Sequence, residues 1–296
     1  MKNYISSLDK GIKQMLFASL MFAFMGAFAK LSSEFMPPIE VVFFRNVFGV
    51  LFILFSLYQR PFTHKGGKKN LLFFRGFIGF IALMAFFYNI AHISLADAMT
   101  FTKTAPIFTA IFAWIFLHEK LPISVWIAIF IGFIGIILIT KPSGVMLEKT
   151  DILGIFSGVG AALAYTSVRE LKKYYDTRAI VFSFMFIGTF FPLILMGISS
   201  YITADFFDFM LGEFIFPEGV VWLYVILMGT FATLAQIYMT KAYGENKAGI
   251  IGAVSYSNII FSVAIGLFMG DAFPEILTIM GIVLIVFAGI MVSRAK

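Results

Sequence analysis

Four basic residues lie inside long apolar stretches of the sequence: Lys30, Arg45, Arg75 and Lys103. No Asp or Glu lies deep in any of these stretches. An ionisable side chain at membrane depth is energetically costly and usually faces the interior of a helix bundle or a water-filled cavity. A guanidinium in surroundings of low dielectric can bind a carboxylate through two N–H groups. We therefore take these four cations as candidates for binding a small anion, such as a carboxylate or a phosphate.

The same residues also have a purely structural interpretation. Long basic side chains near the ends of membrane helices extend to the interface, and Lys30 has an acidic residue, Glu34, one helical turn later. At 1.5 Å per residue, Arg45 and Lys103 lie roughly 9 Å below the outer boundary of a bilayer, close to the level of Lys30. Arg75 lies a turn from the cytoplasmic end of its stretch. This count predicts three cations at one level and Arg75 apart from them.

Uncharged polar residues within the apolar stretches are candidates for orienting a substrate: Asn46, Asn89, Gln236, Ser255, Ser257 and Asn258. Several aromatic residues could line the same cavity, namely Trp114, Tyr165 and Tyr256 and, as the two that we favour, Tyr88 and Tyr238. Polar side chains in membrane helices also bond to neighbouring helices. In a chain with 39 Phe, an aromatic stripe is more often packing. Both interpretations stay open at this point.

The chain offers little material for catalysis, since it has three His and no Cys. The His-Glu-x-x-His pattern of zinc proteases is absent, and a Ser–Lys pair is left as an unfavoured enzyme alternative. We expect no cofactor and no metal. Proton-driven carriers usually relay protons through an intramembrane Asp, Glu or His. The missing carboxylate therefore favours facilitated diffusion or exchange.

The composition indicates the elements that hold these residues. Of 296 residues, 60% are hydrophobic and 13% are charged, and the mean hydropathy is +0.96. Soluble domains have about 45–50% apolar and about 25% charged residues, so the sequence predicts an all-α integral membrane protein. About 20 apolar residues span a bilayer as a helix. Stretches of that length predict ten transmembrane helices, over residues 13–33, 39–58, 71–91, 97–117, 122–140, 152–170, 179–200, 219–240, 247–269 and 274–293.

The basic residues outside these stretches predict the orientation. With the N-terminus in the cytoplasm, sixteen basic residues fall on the cytoplasmic side and only Lys141 and Lys149 on the outer side. This bias follows the positive-inside rule and accounts for the net charge of +6 without nucleic acid as a partner. We expect both termini in the cytoplasm and, from the short loops, a bacterial inner membrane.

An internal repeat relates the two halves of the chain. The segment 99–122 has a weakly similar counterpart 152 residues later, in which Lys103 aligns with Ser255, Pro106 with Asn258 and Glu119 with Asp271. Each half then has five helices, residues 1–146 and 147–296, and an odd number inverts the second half relative to the first. Inverted repeats are common in transporters, with the substrate near the midplane between them.

These features resemble the ten-helix EamA-type carriers of the drug/metabolite transporter superfamily, over nearly the whole chain. The resemblance rests on an acidic residue and a proline after the fourth and ninth stretches, on Phe44-Arg45-Asn46, and on Ala91 to Ala98 before Pro106. Arg75-Gly76 is similar to the G-type branch of solute carrier family 35. The resemblance implies a carrier and does not specify its substrate.

We expect an exporter or exchanger of a small organic anion or amphipathic metabolite, working by alternating access. Export of amino acids or related zwitterions is the alternative, and a channel is less favoured. The glycine pairs Gly154–Gly158 and Gly266–Gly270 permit close helix contacts, within a monomer or in a homodimer. We expect Glu119 to cap or pair at the membrane surface rather than bind substrate.

Overall fold

The computed structural model describes residues 9–63, 66–92, 101–140, 148–201, 208–268 and 275–294. It contains helices α1 (Lys10–Ser33), α2 (Pro38–Gln59), α3 (Lys69–His92), α4 (Ala105–Leu117), α5 (Ile123–Thr140), α6 (Lys149–Leu171), α7 (Thr177–Ile198), α8 (Val221–Glu245), α9 (Ala248–Val254), α10 (Ser257–Phe268) and α11 (Ile276–Arg294). Two short 3₁₀ turns cover Ser199–Tyr201 and Asp208–Met210. The described part has no strand, which confirms its all-helical class.

The described helices have the lengths and composition of membrane spans. Seven segments are long and apolar enough to cross a bilayer, and three shorter apolar helices cover Phe101–Leu117, Ile123–Leu138 and Ile279–Met291. The total of ten spans, the repeat and the side on which the termini lie stay predictions. Residues 93–100, 141–147 and 269–274, which include Asp97, Asp271 and the predicted boundary at residue 146, lie outside the described residues.

Local sequence signals define several helix starts. Asp9 and Asp176 accept hydrogen bonds from the backbone N–H groups of Gly11 and Arg178, at 2.8 and 2.7 Å, as N-cap residues do. Glu148 and Asp151 form a capping box at the start of α6. These caps fix where each helix enters the apolar layer.

The packing follows a pattern that is unchanged when the halves are exchanged. Five pairs of helices pack together: α1 with α8, α3 with α6, α2 with α7, α5 with α11, and α4 with α9. Likewise α1 contacts α10 and α6 contacts α4, while α2 contacts α8 and α3 contacts α7. Replacing α1 by α6, α2 by α7, α3 by α8, α4 by α9 and α10, and α5 by α11 reproduces the same contacts.

Two of the apolar segments are interrupted near the middle of the bundle. The described helical residues 101–103 are separated from α4 by Thr104, and α9 is separated from α10 by Ser255 and Tyr256. Two glycines of α6 leave room for the first interruption. A Cβ at Gly158 would lie 2.7 Å from the carbonyl oxygen of Phe101, and one at Gly154 would overlap the Phe101 ring. This confirms close helix contact for that glycine pair; Gly270 lies outside the described residues.

Buried side chains form two main clusters along the bundle. One cluster, with Ile12 and Tyr243, lies toward the side on which Asp9 starts the first helix, here called the N-terminal face. The other, with Met25 and Val225, lies toward the opposite side, the distal face. A cavity is lined by members of both clusters, since Met15 and Met25 each border it.

Candidate substrate-binding site

The cavity has a volume of about 240 Å³ and collects all four cations predicted from the sequence. Lys30, Arg45, Arg75 and Lys103 border it, and so do three of the predicted polar residues: Gln236, Ser255 and Asn258. Among the described residues, no Asp or Glu borders it. A small, mostly apolar cavity with a few convergent polar groups is the usual form of a small-molecule site.

Arg45, on α2, is held by neighbouring side chains. It is 3% exposed, and its Nε donates to Met25 Sδ at 3.2 Å. Its Nη1 donates to Asn46 Oδ1 at 3.0 Å. Asn46 Nδ2 in turn donates to the carbonyl oxygens of Val42 and Gly188, at 2.9 and 3.1 Å. Arg45 is therefore tied to the backbone of α7 through Asn46, a residue that does not border the cavity.

Arg75, on α3, lies much closer to Arg45 than the count along the helices predicts. The two guanidinium carbons lie 4.4 Å (Arg75) and 5.6 Å (Arg45) from the centre of the Phe184 ring on α7. Arg75 is 1% exposed, and its Nε and Nη1 have no hydrogen-bond partner among the described residues. The difference arises because α2 and α3 both pack on α7, and two long side chains can converge on one ring from different depths.

Lys103 lies at the interruption before α4 and bonds across to the interruption before α10. Its Nζ donates to Asn258 Oδ1 at 2.7 Å, and Asn258 Nδ2 donates to the carbonyl oxygen of Ser19 on α1 at 2.9 Å. Ser255 Oγ, which also borders the cavity, donates to the carbonyl oxygen of Gly252. The N-terminal ends of α4 and α10 thus lie beside the cavity, where a helix dipole favours negative charge.

The cavity lining does not include Ser257, Trp114 or Tyr256, and it also lacks three further sequence candidates. Asn89 Nδ2 donates to the carbonyl oxygen of Thr150 at 2.8 Å. Tyr88 stacks on His92 with ring centroids 3.8 Å apart, and Tyr238 lies 4.5 Å from the Phe17 ring. The structure brings the cations and the residues of the interrupted helices together, and it places these three elsewhere.

The cavity also has residues that were not chosen from the sequence, and one that was a less favoured candidate. Phe184 and Ser19 border the cavity, and so does Tyr165, which the sequence favoured less than Tyr88 and Tyr238. One Phe among 39 and one Ser among many carry no distinguishing pattern. Tyr165 lies on α6 three residues after Ala162 and one after Ala164, both fully packed, so only the assembled bundle shows which side chain faces inward.

Comparison with known proteins decides the family. The model of the EamA-like transporter family matches residues 9–141. An uncharacterized transporter of Helicobacter pylori (strain ATCC 700392 / 26695) is 34% identical, over 96% of this chain and 94% of its own length. The pseudopaline exporter CntI of Pseudomonas aeruginosa is 31% identical, over 98% of both chains. The chain belongs to the EamA-like transporter family.

A mammalian relative and a solved structure agree with this placement. Solute carrier family 35 member G1 of Mus musculus is 30% identical over 92% of the EamA-like chain and 76% of its own length, in line with the branch that Arg75-Gly76 resembles. A crystal structure of a protein with 15% identity has the same fold, with a TM-score of 0.74 over 94% of both chains. The EamA-like protein is thus a multi-pass membrane protein and a transporter of small molecules.

On the N-terminal face of this EamA-like transporter, a group of contacts around Glu119 connects three parts of the bundle. Glu119 Oε1 accepts from Arg169 Nε at 3.3 Å, and Oε2 accepts from the backbone N–H of Ala248 at 2.9 Å. Arg169 Nη1 also donates to the carbonyl oxygen of Gly244 at 2.8 Å. We call these four residues the Glu119 latch. It joins the α4–α5 loop to the end of α6 and to the α8–α9 junction, as expected of a residue that caps and pairs.

Proposed function

We propose that this chain transports a small organic anion or amphipathic metabolite across the bacterial inner membrane, as an exporter or exchanger, by alternating access. The observation that carries the proposal is the convergence of Lys30, Arg45, Arg75 and Lys103 on one cavity without a described acidic residue in its lining. Buried charges are normally paired. A bound anion supplies the missing negative charge.

The cavity suits an anion better than a zwitterion. An ammonium group would need a carboxylate or several oxygen acceptors, and it would be repelled by four nearby cations. Most of the remaining lining is apolar, with Met15, Phe22, Phe86 and Phe87 among it, and suits the body of an amphipathic solute. The volume of about 240 Å³ favours a small one. The exporter named among the relatives supports export as the direction.

Alternating access is supported by the exchange pattern of the packing. The contacts between helices are unchanged when α1 to α5 are replaced by α6 to α11. Two inverted five-helix repeats would produce such a pattern. The family model covers residues 9–141, which fall within the proposed first repeat, 1–146. Two packings of such a pair, related by exchange of the repeats, open the same site to opposite sides of a membrane.

The described contacts favour a cavity that opens toward the distal face. Lys30 is exposed and lies three residues before the end of α1, and Gly266 lies two residues before the end of α10, yet both border the cavity. The Glu119 latch closes the opposite face. With the N-terminal face in the cytoplasm, this arrangement faces outward.

Counterflow in liposomes tests the substrate class. Purified protein is reconstituted with an internal excess of unlabelled succinate, hexanoate or leucine, and uptake of the labelled form of the same compound is followed. We expect transient accumulation of the carboxylates, and its loss in Lys103→Ala. Accumulation of leucine alone would replace the anion proposal by the zwitterion alternative. A pH gradient that drives uptake with no substrate gradient would overturn facilitated exchange.

A further inference from the structure

The four cations that border the cavity differ in how their hydrogen bonds are used. Arg45 donates from Nε to Met25 and from Nη1 to Asn46, and Lys103 donates to Asn258. Arg75 borders the same cavity and is 1% exposed, yet its Nε and Nη1 have no partner in the described part of the chain. Its guanidinium carbon lies over the Phe184 ring, 4.4 Å from the ring centre.

Gln236 is a second donor of this kind. It lies on α8, borders the cavity, and is 2% exposed. Its Nε2 also has no hydrogen-bond partner among the described residues. A buried donor without an acceptor is costly, and a site with such donors discriminates strongly in favour of solutes that supply the acceptors.

We propose that a carboxylate of the substrate binds Arg75, and that a second acceptor group of the same molecule binds the Gln236 amide. This inference rests on the anion transport proposed above and assigns its chemistry to particular atoms. Arg75 is the anion-binding residue, because its buried Nε and Nη1 have no hydrogen-bond partner among the described residues. Arg45 is a positioning residue, because its Nε and Nη1 already donate to Met25 and Asn46 and its charge helps to keep the site positive.

The geometry favours a carboxylate over a phosphate. A planar guanidinium whose face lies on an aromatic ring presents its N–H edge for bidentate binding of two coplanar oxygens. The cavity lining includes apolar side chains, among them Met25, Leu83 and Phe87, on which the apolar body of an organic carboxylate can pack. Inorganic phosphate has no apolar body and would leave these side chains without contacts, whereas a carboxylate on an apolar body would bury them.

Binding in lipid nanodiscs tests the assignment with matched ligands. Succinate, with two carboxylates, is compared with hexanoate, which has one, with hexanamide, which has none, and with inorganic phosphate. We expect Arg75→Lys to bind both carboxylates about 10- to 100-fold more weakly, as for loss of hydrogen bonds to a charged group. Gln236→Leu should weaken succinate and leave hexanoate unchanged. The exposed Arg60→Lys, at the end of α2, is the matched control and should bind like the wild type.

The outcomes separate this inference from the transport proposal. If the wild type transports leucine in counterflow and neither binds nor transports succinate or hexanoate, both are wrong. If wild type binds and transports carboxylates and Arg75→Lys behaves like Arg60→Lys, the transport proposal stands and the Arg75 assignment is wrong. If Arg75→Lys weakens phosphate binding more than succinate binding, the group that binds Arg75 is a phosphate and not a carboxylate. The melting temperature without ligand shows whether each variant folds. If Arg75→Lys does not fold, the ratio of succinate to hexanoate affinity in Gln236→Leu tests the proposal instead.

Discussion

Asn46 shows how one uncharged side chain organises the charges of the cavity. It is fully buried and accepts from Arg45 while donating to the carbonyl oxygens of Val42 and Gly188. The absence of a side chain at Gly188 is required, because a Cβ there would lie 2.5 Å from Asn46 Nδ2. One amide therefore connects α2, α7 and the guanidinium, without touching the cavity itself.

Replacing Asn46 by Ala should destabilise the protein because it breaks the bond to α7 and leaves Arg45 with one partner fewer. Hydrogen bonds between membrane helices contribute about 1–2 kcal/mol in model peptides, so we expect a loss of that order in the free energy of unfolding, measured by SDS titration in detergent. Thr166→Ala is the control, since Thr166 Oγ1 bonds only to the carbonyl oxygen of Ala162 in its own helix. Equal losses in the two variants would contradict the connecting role of Asn46.

At the scale of the helices, the interruption before α4 depends on the surface that α6 offers. Phe101 and Thr104 pack directly on Gly154 and Gly158, where the α6 backbone is bare. The interruption places Lys103 at the cavity, next to the start of α4. Two glycines on one helix thus determine where a cation of another helix lies.

Gly158→Ala should be destabilising, because the added methyl group would lie 2.7 Å from the carbonyl oxygen of Phe101 and backbone cannot move aside cheaply. Overpacking of this kind costs about 1–3 kcal/mol. Gly289→Ala in α11 has nothing within 4 Å of the new Cβ and should be neutral or slightly stabilising. Melting temperatures of the two variants give the comparison, and a similar response from both would show that the close contact is not needed.

Sequence patterns predict the positions of the helices well, but they predict poorly which side chains meet at the cavity. The apolar stretches, the glycine pair on α6 and the surface role of Glu119 follow from local spacing. The shared contact of Arg45 and Arg75 with Phe184 does not, because it depends on how α2 and α3 both pack on α7. Likewise, nothing local distinguishes Ser255 and Tyr256 as the end of α9: no Pro or Gly marks the interruption, which is stabilised by Asn258 and its long-range bonds.

At the scale of the whole molecule, the proposed alternating access makes the N-terminal face and the cavity two parts of one conformational equilibrium. Ala110 on α4 is fully buried against Gly249 on α9, directly behind the Glu119 latch. Ala161 on α6 borders the cavity. If the halves separate at the N-terminal face during transport, Ala110 becomes accessible from that face, and Ala161 becomes less accessible from the distal face.

The chain has no Cys, so single-cysteine variants report this change directly. With the latch intact, Ala161→Cys should react from the distal side with a membrane-impermeant maleimide, and Ala110→Cys should not react from either side. Adding Glu119→Gln removes the charge that Arg169 pairs with and weakens the bond to Ala248, so we expect Ala110→Cys to become reactive from the N-terminal side and Ala161→Cys to react more slowly. Lys10→Gln, which breaks the exposed pair with Glu245 on the same face, is the control and should change neither rate, because exposed pairs contribute little. If Glu119→Gln leaves both rates unchanged, the latch does not control access to the cavity.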